Sequence, residues 1–342
     1  MAGRSIIRVQ IGFALPHYDF SIPGERPLRW ETLLDQALHA EALGFDSLWV
    51  SDHLFLEIDK YGAGPGVYGA FEPLVTLAAL ARSTTRPRLG TLVLCEALRP
   101  ASVLAKALAT LDQISGGRLD IGIGAGWYEP EYTAIGMDFP SPGERLARLA
   151  EAVDVLDGLL GGGPFTYEGK YHTARNAVNL PPALQVPRPP LFVGGKGDRL
   201  LRLVAERADG WNTCWVWTQD QYRERARVLE MACDEVGRDP ASVHRSLGLY
   251  ALVGEDSRDL ARRFARMTEL APGGMLRGMT LDEWRVGRLV GAVEEVREQV
   301  SQWESLGVET LIVDVGPLPF SVMATDDVDV LAGALCEVSA HT

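Results

Sequence analysis

The sequence predicts a single (β/α)8 barrel, and three observations predict it. Eight short apolar stretches run along the chain, each followed by an amphipathic stretch of helical period. Composition does not change between the two halves, so the 342 residues read as one domain, 1–342. The first apolar stretch continues as Ile11-Gly12-Phe13-Ala14-Leu15-Pro16. It lacks the glycine fingerprint that a doubly wound nucleotide-binding sheet carries at that point.

The elements follow in order. Arg8 to Phe13 reads as the first strand. Trp30 to Leu43 is a helix, because Leu33, Leu34, Ala37 and Leu38 share one face, and Gly44 ends it. Phe45 to Val50 is the second strand and Glu72 to Ser83 the second helix. Leu89 to Cys95 is the third strand, and Pro100 to Ile114 a helix closed by Ser115-Gly116-Gly117. Leu119 to Ile123 is the fourth strand and Glu144 to Leu160 the fourth helix. Residues 161–190 interrupt the alternation with a Gly-rich turn, a hairpin-like Phe165 to Tyr171 and several prolines, the mark of an insertion. Strands resume at Leu191 to Val193 and at Gly210 to Asn212, with helices from Asp198 and from Gln219 to Val236. Ser246 to Val253 is the seventh strand, with a helix from Arg258 to Met267, and residues 271–290 read as a second insertion. Val293 to Leu306 is a helix, Thr310 to Val315 the eighth strand, and Val328 to Val338 the closing helix.

Composition narrows the function. The formal net charge of −13 argues against nucleic acid as a partner, and an anionic ligand needs a local basic site. No apolar run reaches the roughly 18 residues of a membrane span, and Met1 to Ser5 shows no secretory signal, so a cytoplasmic protein is expected. The four cysteines, Cys95, Cys214, Cys233 and Cys336, are scattered without a Cys-x-x-Cys pair, so no metal site is expected.

In a barrel, chemistry gathers where the strands end. Asp52 and His53 follow the second strand, and Cys95-Glu96 end the third. Gly124-Ala125-Gly126, then Trp127, Tyr128, Glu129 and Glu131, follow the fourth. Gly194-Gly195-Lys196-Gly197 follow the fifth, where glycines before a helix start allow a phosphate to approach backbone N–H groups, with Lys196 adding charge. His53 is a candidate proton donor or acceptor, because imidazole titrates near neutrality. Glu129 is the candidate catalytic carboxylate, with Glu131 beside it; the alternative reading makes both solvated loop residues. Gly124 to Gly126 either admit a flat ring or form a tight turn. Lys170, His172 and Arg175 fall in the first insertion and read as a solvated hairpin, with contact to an acidic tail as the alternative. There is no Gly-x-Ser-x-Gly elbow, His-Glu-x-x-His or Walker lysine. A rim with a phosphate turn and few nucleophiles fits an enzyme whose cofactor carries the reaction.

Trp49-Val50-Ser51-Asp52-His53, the segment Leu111 to Leu119, Gly122 to Trp127 and Leu203 to Asn212 together resemble the bacterial luciferase-like oxidoreductase superfamily. The form Gly-Ala-Gly-Trp-Tyr-Glu-Pro-Glu looks like the branch that uses the deazaflavin coenzyme F420; an FMN-dependent monooxygenase is the alternative. The resemblance implies a homodimer with the ring at the barrel mouth and Asp52 and His53 facing it. It also implies a phosphate on Gly194 to Gly197 and a non-prolyl cis peptide after the third strand, here matched near Cys95-Glu96. The tryptophan that sugar-phosphate dehydrogenases of this branch carry after Asp-His is not present in Leu54 to Tyr61. The expected activity is hydride transfer between the deazaflavin and a small organic substrate. A barrel that binds the cofactor without turnover is the third reading.

Overall fold

The computed structural model describes residues 9–336, and in it the eight expected strands close into a barrel. They are β1 (Gln10–Ala14), β2 (Ser47–Val50), β3 (Arg88–Thr91), β4 (Leu119–Gly124), β5 (Leu191–Gly194), β6 (Gly210–Trp215), β7 (His244–Gly254) and β8 (Thr310–Asp314). Each pairs in parallel with the next. β8 returns to β1 with Thr310 opposite Gln10 and Val313 opposite Phe13. The helices around it are α1 (Trp30–Ala42), α2 (Pro73–Ser83), α3 (Ala101–Ser115), α4 (Pro142–Leu160), α5 (Asp198–Arg207), α6 (Gln219–Val236), α7 (Ser257–Leu270), α8 (Val293–Ser305) and α9 (Thr325–Leu335). Arg8 of the expected first strand, and Glu337 and Val338 of the expected last helix, lie outside the described residues.

The strand period of two splits the apolar residues between two layers. Ile11, Phe13, Leu48, Val50, Ile121 and Val193 join the inner faces of the helices, among them Leu33, Leu77, Leu104 and Leu156, in one buried cluster. The other face points into the barrel, where space is short. Trp49 fills much of it, against small residues on both neighbouring strands: it pairs with Gly90 and Ala14, and Gly12 pairs with Ser47. A Cβ on Gly12 would sit 2.6 Å from Trp49 Nε1, and one on Gly90 2.2 Å from Trp49 Cε3. Phe192 lies edge-on to Trp49 at 6.4 Å and takes the space a side chain at Gly210 would need. Below them Arg88 binds Asp120 through two nitrogens, at 2.8 and 2.6 Å. Trp49 and Phe192 therefore plug the middle of the barrel, with one cavity above them at the strand ends and another of about 400 Å³ below, lined by Arg88, Asp120 and His244.

Several features differ from the sequence expectation or go beyond it. The third strand stops at Thr91; the Leu92–Val93 peptide is cis, and Leu94–Cys95 rejoins β4 opposite Ile123 and Gly124. The non-prolyl cis bond thus lies three residues before the expected place. The Cys95–Glu96 bond is not among the cis bonds, and Cys95 has ordinary extended dihedrals, φ −88° and ψ 119°. A second non-prolyl cis bond joins Cys214 and Trp215 at the end of β6. The segment 161–190 does contain an antiparallel hairpin, Phe165–Glu168 with Thr173–Ala177. The segment 271–290, in contrast, holds a short helix, Leu281–Trp284, and ends inside a strand, Leu289–Ala292, that pairs with the last four residues of β7. A further hairpin, Phe55–Glu57 with Val67–Gly69, follows β2. Its arms have three residues each, too few for alternation to show in the sequence.

Gly90→Ala should destabilise the protein by about 1–3 kcal/mol, because the methyl meets the Trp49 ring in a core that cannot expand. Gly333→Ala, on the exposed face of α9 with nothing within 4 Å of the new methyl, should stabilise it by up to about 1 kcal/mol. Thermal melts of the two variants check both, and equal melting temperatures would contradict the packing account.

Candidate active site

The upper ends of the strands enclose a cavity of about 430 Å³, within the usual range for a small-molecule site. Ser51, Asp52 and His53 enter it from β2, and Leu92 to Cys95 from the broken third strand. Gly126 to Tyr128 enter from β4, Gly194 to Lys196 from β5, and Asn212 to Trp215 from β6. Both non-prolyl cis peptides border it.

The two residues after β2 face different partners. Asp52 is 3% exposed and is held by Arg99, whose two terminal nitrogens bind its oxygens at 2.7 and 3.0 Å. The same carboxylate accepts the Cys95 N–H at 2.9 Å. Arg99 continues to Glu72 at 2.5 Å, the residue that caps α2. Its carboxylate neighbours push the guanidinium up despite the cost of burying it. Asp52 thereby locks the end of the third strand to the second. His53 Nδ1 donates to Glu131 at 2.8 Å. Glu131, 4% exposed on the short helix Glu129–Ala134, also accepts the N–H groups of Leu54 and Phe55 at 2.5 and 3.3 Å. These bonds fix the ring with Nδ1 turned to the carboxylate. The edge-on rings of Trp127 and Tyr128, 5.4 and 5.9 Å away, complete its surroundings.

Two further strand ends contribute. After β1, His17 Nδ1 donates to the Leu15 carbonyl at 2.8 Å, so its Nε2 accepts from the Ser51 hydroxyl at 2.9 Å. The Tyr18 hydroxyl in turn bonds Ser51. Burial holds His17 down at about 3, so it stays neutral and the chain keeps one direction. After β8, the buried Asp314 accepts N–H groups of Gly316 at 3.1 Å and Ser321 at 3.4 Å, and that of Phe320 as well. Burial pushes this carboxyl up, against the three donors that favour the anion. The result is a tight loop that turns Phe320, at φ 58°, into the cavity.

The turn after β5 has the form expected of a phosphate site. Gly197 caps α5 with extended dihedrals, and its carbonyl takes the N–H groups of Leu200 and Leu201 at 2.9 Å. The N–H groups of Asp198 and Arg199 have no acceptor within the helix. A Cβ on Gly197 would meet nothing within 4 Å, so the approach is open. The exposed Lys196 stands beside it, its ammonium 5.6 Å from the Trp217 ring. Asp198 turns away to Arg225 at 2.6 Å. Gly195 serves the fold: its N–H bonds Asn212, its φ is +143°, and a Cβ there would sit 2.7 Å from Leu200. These residues fit a phosphorylated cofactor.

Of the residues expected from sequence, Asp52, His53, Cys95, Gly126, Gly194, Gly195 and Lys196 border the one cavity. Others do not. Glu129 is exposed at the first turn of its helix, and Glu131, two residues on, is the buried carboxylate that reaches His53. Glu96 points away and binds His172 of the hairpin at 2.9 Å, so that histidine is not a solvated hairpin residue. Gly124 owes its small size to Val93, whose Cγ2 lies 2.9 Å from where a Cβ would stand. Ala125 and Gly197 lie outside the lining. Sequence reasoning missed His17, Tyr18 and Phe320. Applying the strand-end rule to the first and eighth strands would have found all three.

A family model described as luciferase-like monooxygenase matches residues 9–310. An F420-dependent glucose-6-phosphate dehydrogenase of Microbacterium testaceum is 34% identical over 208 residues, 60% of this chain and 59% of the relative. The chain thus spans about three-fifths of that relative's length. An F420-dependent hydroxymycolic acid dehydrogenase of Mycobacterium tuberculosis is 28% identical over 93% of this chain and 83% of the relative. Among solved structures, an F420-dependent secondary alcohol dehydrogenase in complex with an F420-acetone adduct superposes with a TM-score of 0.75 at 22% identity. It covers 96% of this chain and 98% of its own. This likeness concerns the fold.

The buried His17 gives a pH test. Its value falls on folding from 6.5 to about 3, so the unfolded chain takes up a proton that the folded one refuses. Stability from this group is complete above about pH 6.5 and is lost as pH drops toward 3. His17→Gln, which can keep both hydrogen bonds, should therefore show a shallower fall in melting temperature across that window. Parallel curves for wild type and variant would show that His17 does not titrate in this way.

Proposed function

We propose that this protein, which belongs to the luciferase-like monooxygenase family, is a coenzyme F420-dependent oxidoreductase acting on a small organic substrate. One observation carries the reading: a single cavity joins Gly194, Gly195 and Lys196, just before the start of α5, to a histidine oriented by a buried carboxylate. The names of the F420-dependent relatives support the deazaflavin as the cofactor. Lys196 and the first N–H groups of α5 would hold its phosphate, and Asp52, Cys95 and Gly126 border the space beside it. The bound deazaflavin would supply a hydride acceptor or donor, which no side chain of the cavity provides.

The chain's own part is proton handling and positioning. His53 donates through Nδ1 to Glu131, which leaves Nε2 with a lone pair for a substrate hydroxyl. Glu131 stabilises the imidazolium that forms when the proton arrives. Glu131 takes the role that sequence alone gave to Glu129. No helix among the described residues is long and apolar enough to cross a membrane. We read the protein as cytoplasmic and homodimeric. Val178, Leu180, Leu184 and Val186 expose apolar side chains along one stretch of the chain, and light scattering would test self-association.

Lys196→Gln should weaken deazaflavin binding by about 10- to 100-fold, the scale of one charge-assisted hydrogen bond, in a fluorescence titration. Unchanged affinity would remove Lys196 from the phosphate site. His53→Ala should lower turnover by roughly 10²–10⁴-fold with cofactor affinity little changed. Glu131→Gln should fall in the same direction and also alter the pH–rate profile. Full turnover in His53→Ala would make that histidine structural.

A further inference from the structure

We propose that the substrate of this cavity is a neutral, largely apolar secondary alcohol or ketone carrying a ring, and not a sugar phosphate; the inference rests on the functional reading above. Charge is the first reason. Among the described residues lining the cavity, Lys196 is the one lysine or arginine, and the phosphate turn commits it to the cofactor. Arg99 stands behind Asp52 with its guanidinium shared between Asp52 and Glu72. The ammonium of Lys60 lies over the Trp127 ring, 3.3 Å from its centre, and that side chain is outside the lining. Asp52 is neutralised by Arg99, which leaves the lining carboxylate of Glu131 to oppose a second phosphate. A substrate dianion has no unshared counter-charge in this lining, and leaving one uncompensated in a partly desolvated site disfavours binding.

Hydrogen bonding is the second reason. The Ser51 hydroxyl is held between His17 and Tyr18. The Tyr128 hydroxyl donates to Glu57 at 2.9 Å, and the Asn212 amide donates to Ser246 at 2.6 Å. His53 Nε2 has no protein partner among the described residues. The Tyr18 ring stands 6.3 Å from the His53 ring, and its oxygen keeps a lone pair after donating to Ser51. The pair suits one substrate oxygen. A sugar brings several hydroxyls, and each one buried without a partner weakens binding. Leu56, Leu92, Trp127, Trp215 and Phe320 give the cavity apolar faces that favour a flat or cyclic apolar body, with the Tyr61 and Thr213 hydroxyls as further polar groups.

The test compares 1-phenylethanol and acetophenone with glucose 6-phosphate on the full chain. Calorimetric binding is measured with and without coenzyme F420, and turnover with it. The expected result is binding and kcat/KM for 1-phenylethanol at least about 100-fold above those for glucose 6-phosphate. Glucose 6-phosphate bound or turned over as well as the alcohol overturns the proposal, and so does failure to bind either. Preferential binding of 1-phenylethanol by a protein that takes no deazaflavin would remove the cofactor reading and leave the substrate preference standing.

Discussion

A parallel eight-stranded sheet closes only if its inner face holds the right volume, and in this protein glycines set that volume. Trp49 lies against Gly12 and Gly90, Phe192 against Gly210, and Val93 against Gly122, Gly124 and Gly194. Each large side chain occupies space that its neighbours give up. The middle of the barrel is thereby filled, and the upper cavity is separated from the lower one and opens where the strands deliver their last residues. The glycines that look like ligand-contact motifs in sequence are thus mostly answers to a packing problem. Gly197 is different, because nothing fills the space a side chain would take there.

On this scaffold the site is built from pairs of strand ends that fix one another. Asp52 ties β2 to the broken third strand through Cys95 and reaches α2 through Arg99 and Glu72. Glu131 ties β2 to the segment after β4 through His53 and two backbone N–H groups. Ser51 ties β2 to the segment after β1. Three consecutive residues, Ser51, Asp52 and His53, therefore anchor three different neighbours. Removing Glu131 would both orphan buried donors and release the His53 ring, so the geometry of the cavity and the stability of this rim are coupled.

The barrel was legible in the sequence because its signals repeat. Apolar strands alternate with amphipathic helices, and Gly44, Gly116 and the break before Leu191 punctuate them. The rim residues on β2 and β5 were legible for the same reason, since a strand end is a position that a pattern can locate. What the pattern does not carry is which side chain turns inward. Glu129 and Glu131 stand two apart on one short helix, and only the fold buries the second. Glu96 looks like a rim carboxylate, yet the hairpin brings His172 against it from 76 residues away. The cis bond was placed three residues late because the strand ends at Thr91, and the apolar run through Leu94 conceals that. Contacts this distant have no local signature.

The account's central claim is that the turn at Lys196 and the His53–Glu131 pair are two ends of one cofactor and substrate site. A crystal structure of the protein with coenzyme F420 tests it most directly. The account predicts the cofactor's phosphate within hydrogen-bonding distance of Lys196 Nζ and the first N–H groups of α5, with the ring in the cavity bordered by His53. A phosphate bound elsewhere, or a ring outside that cavity, would contradict it.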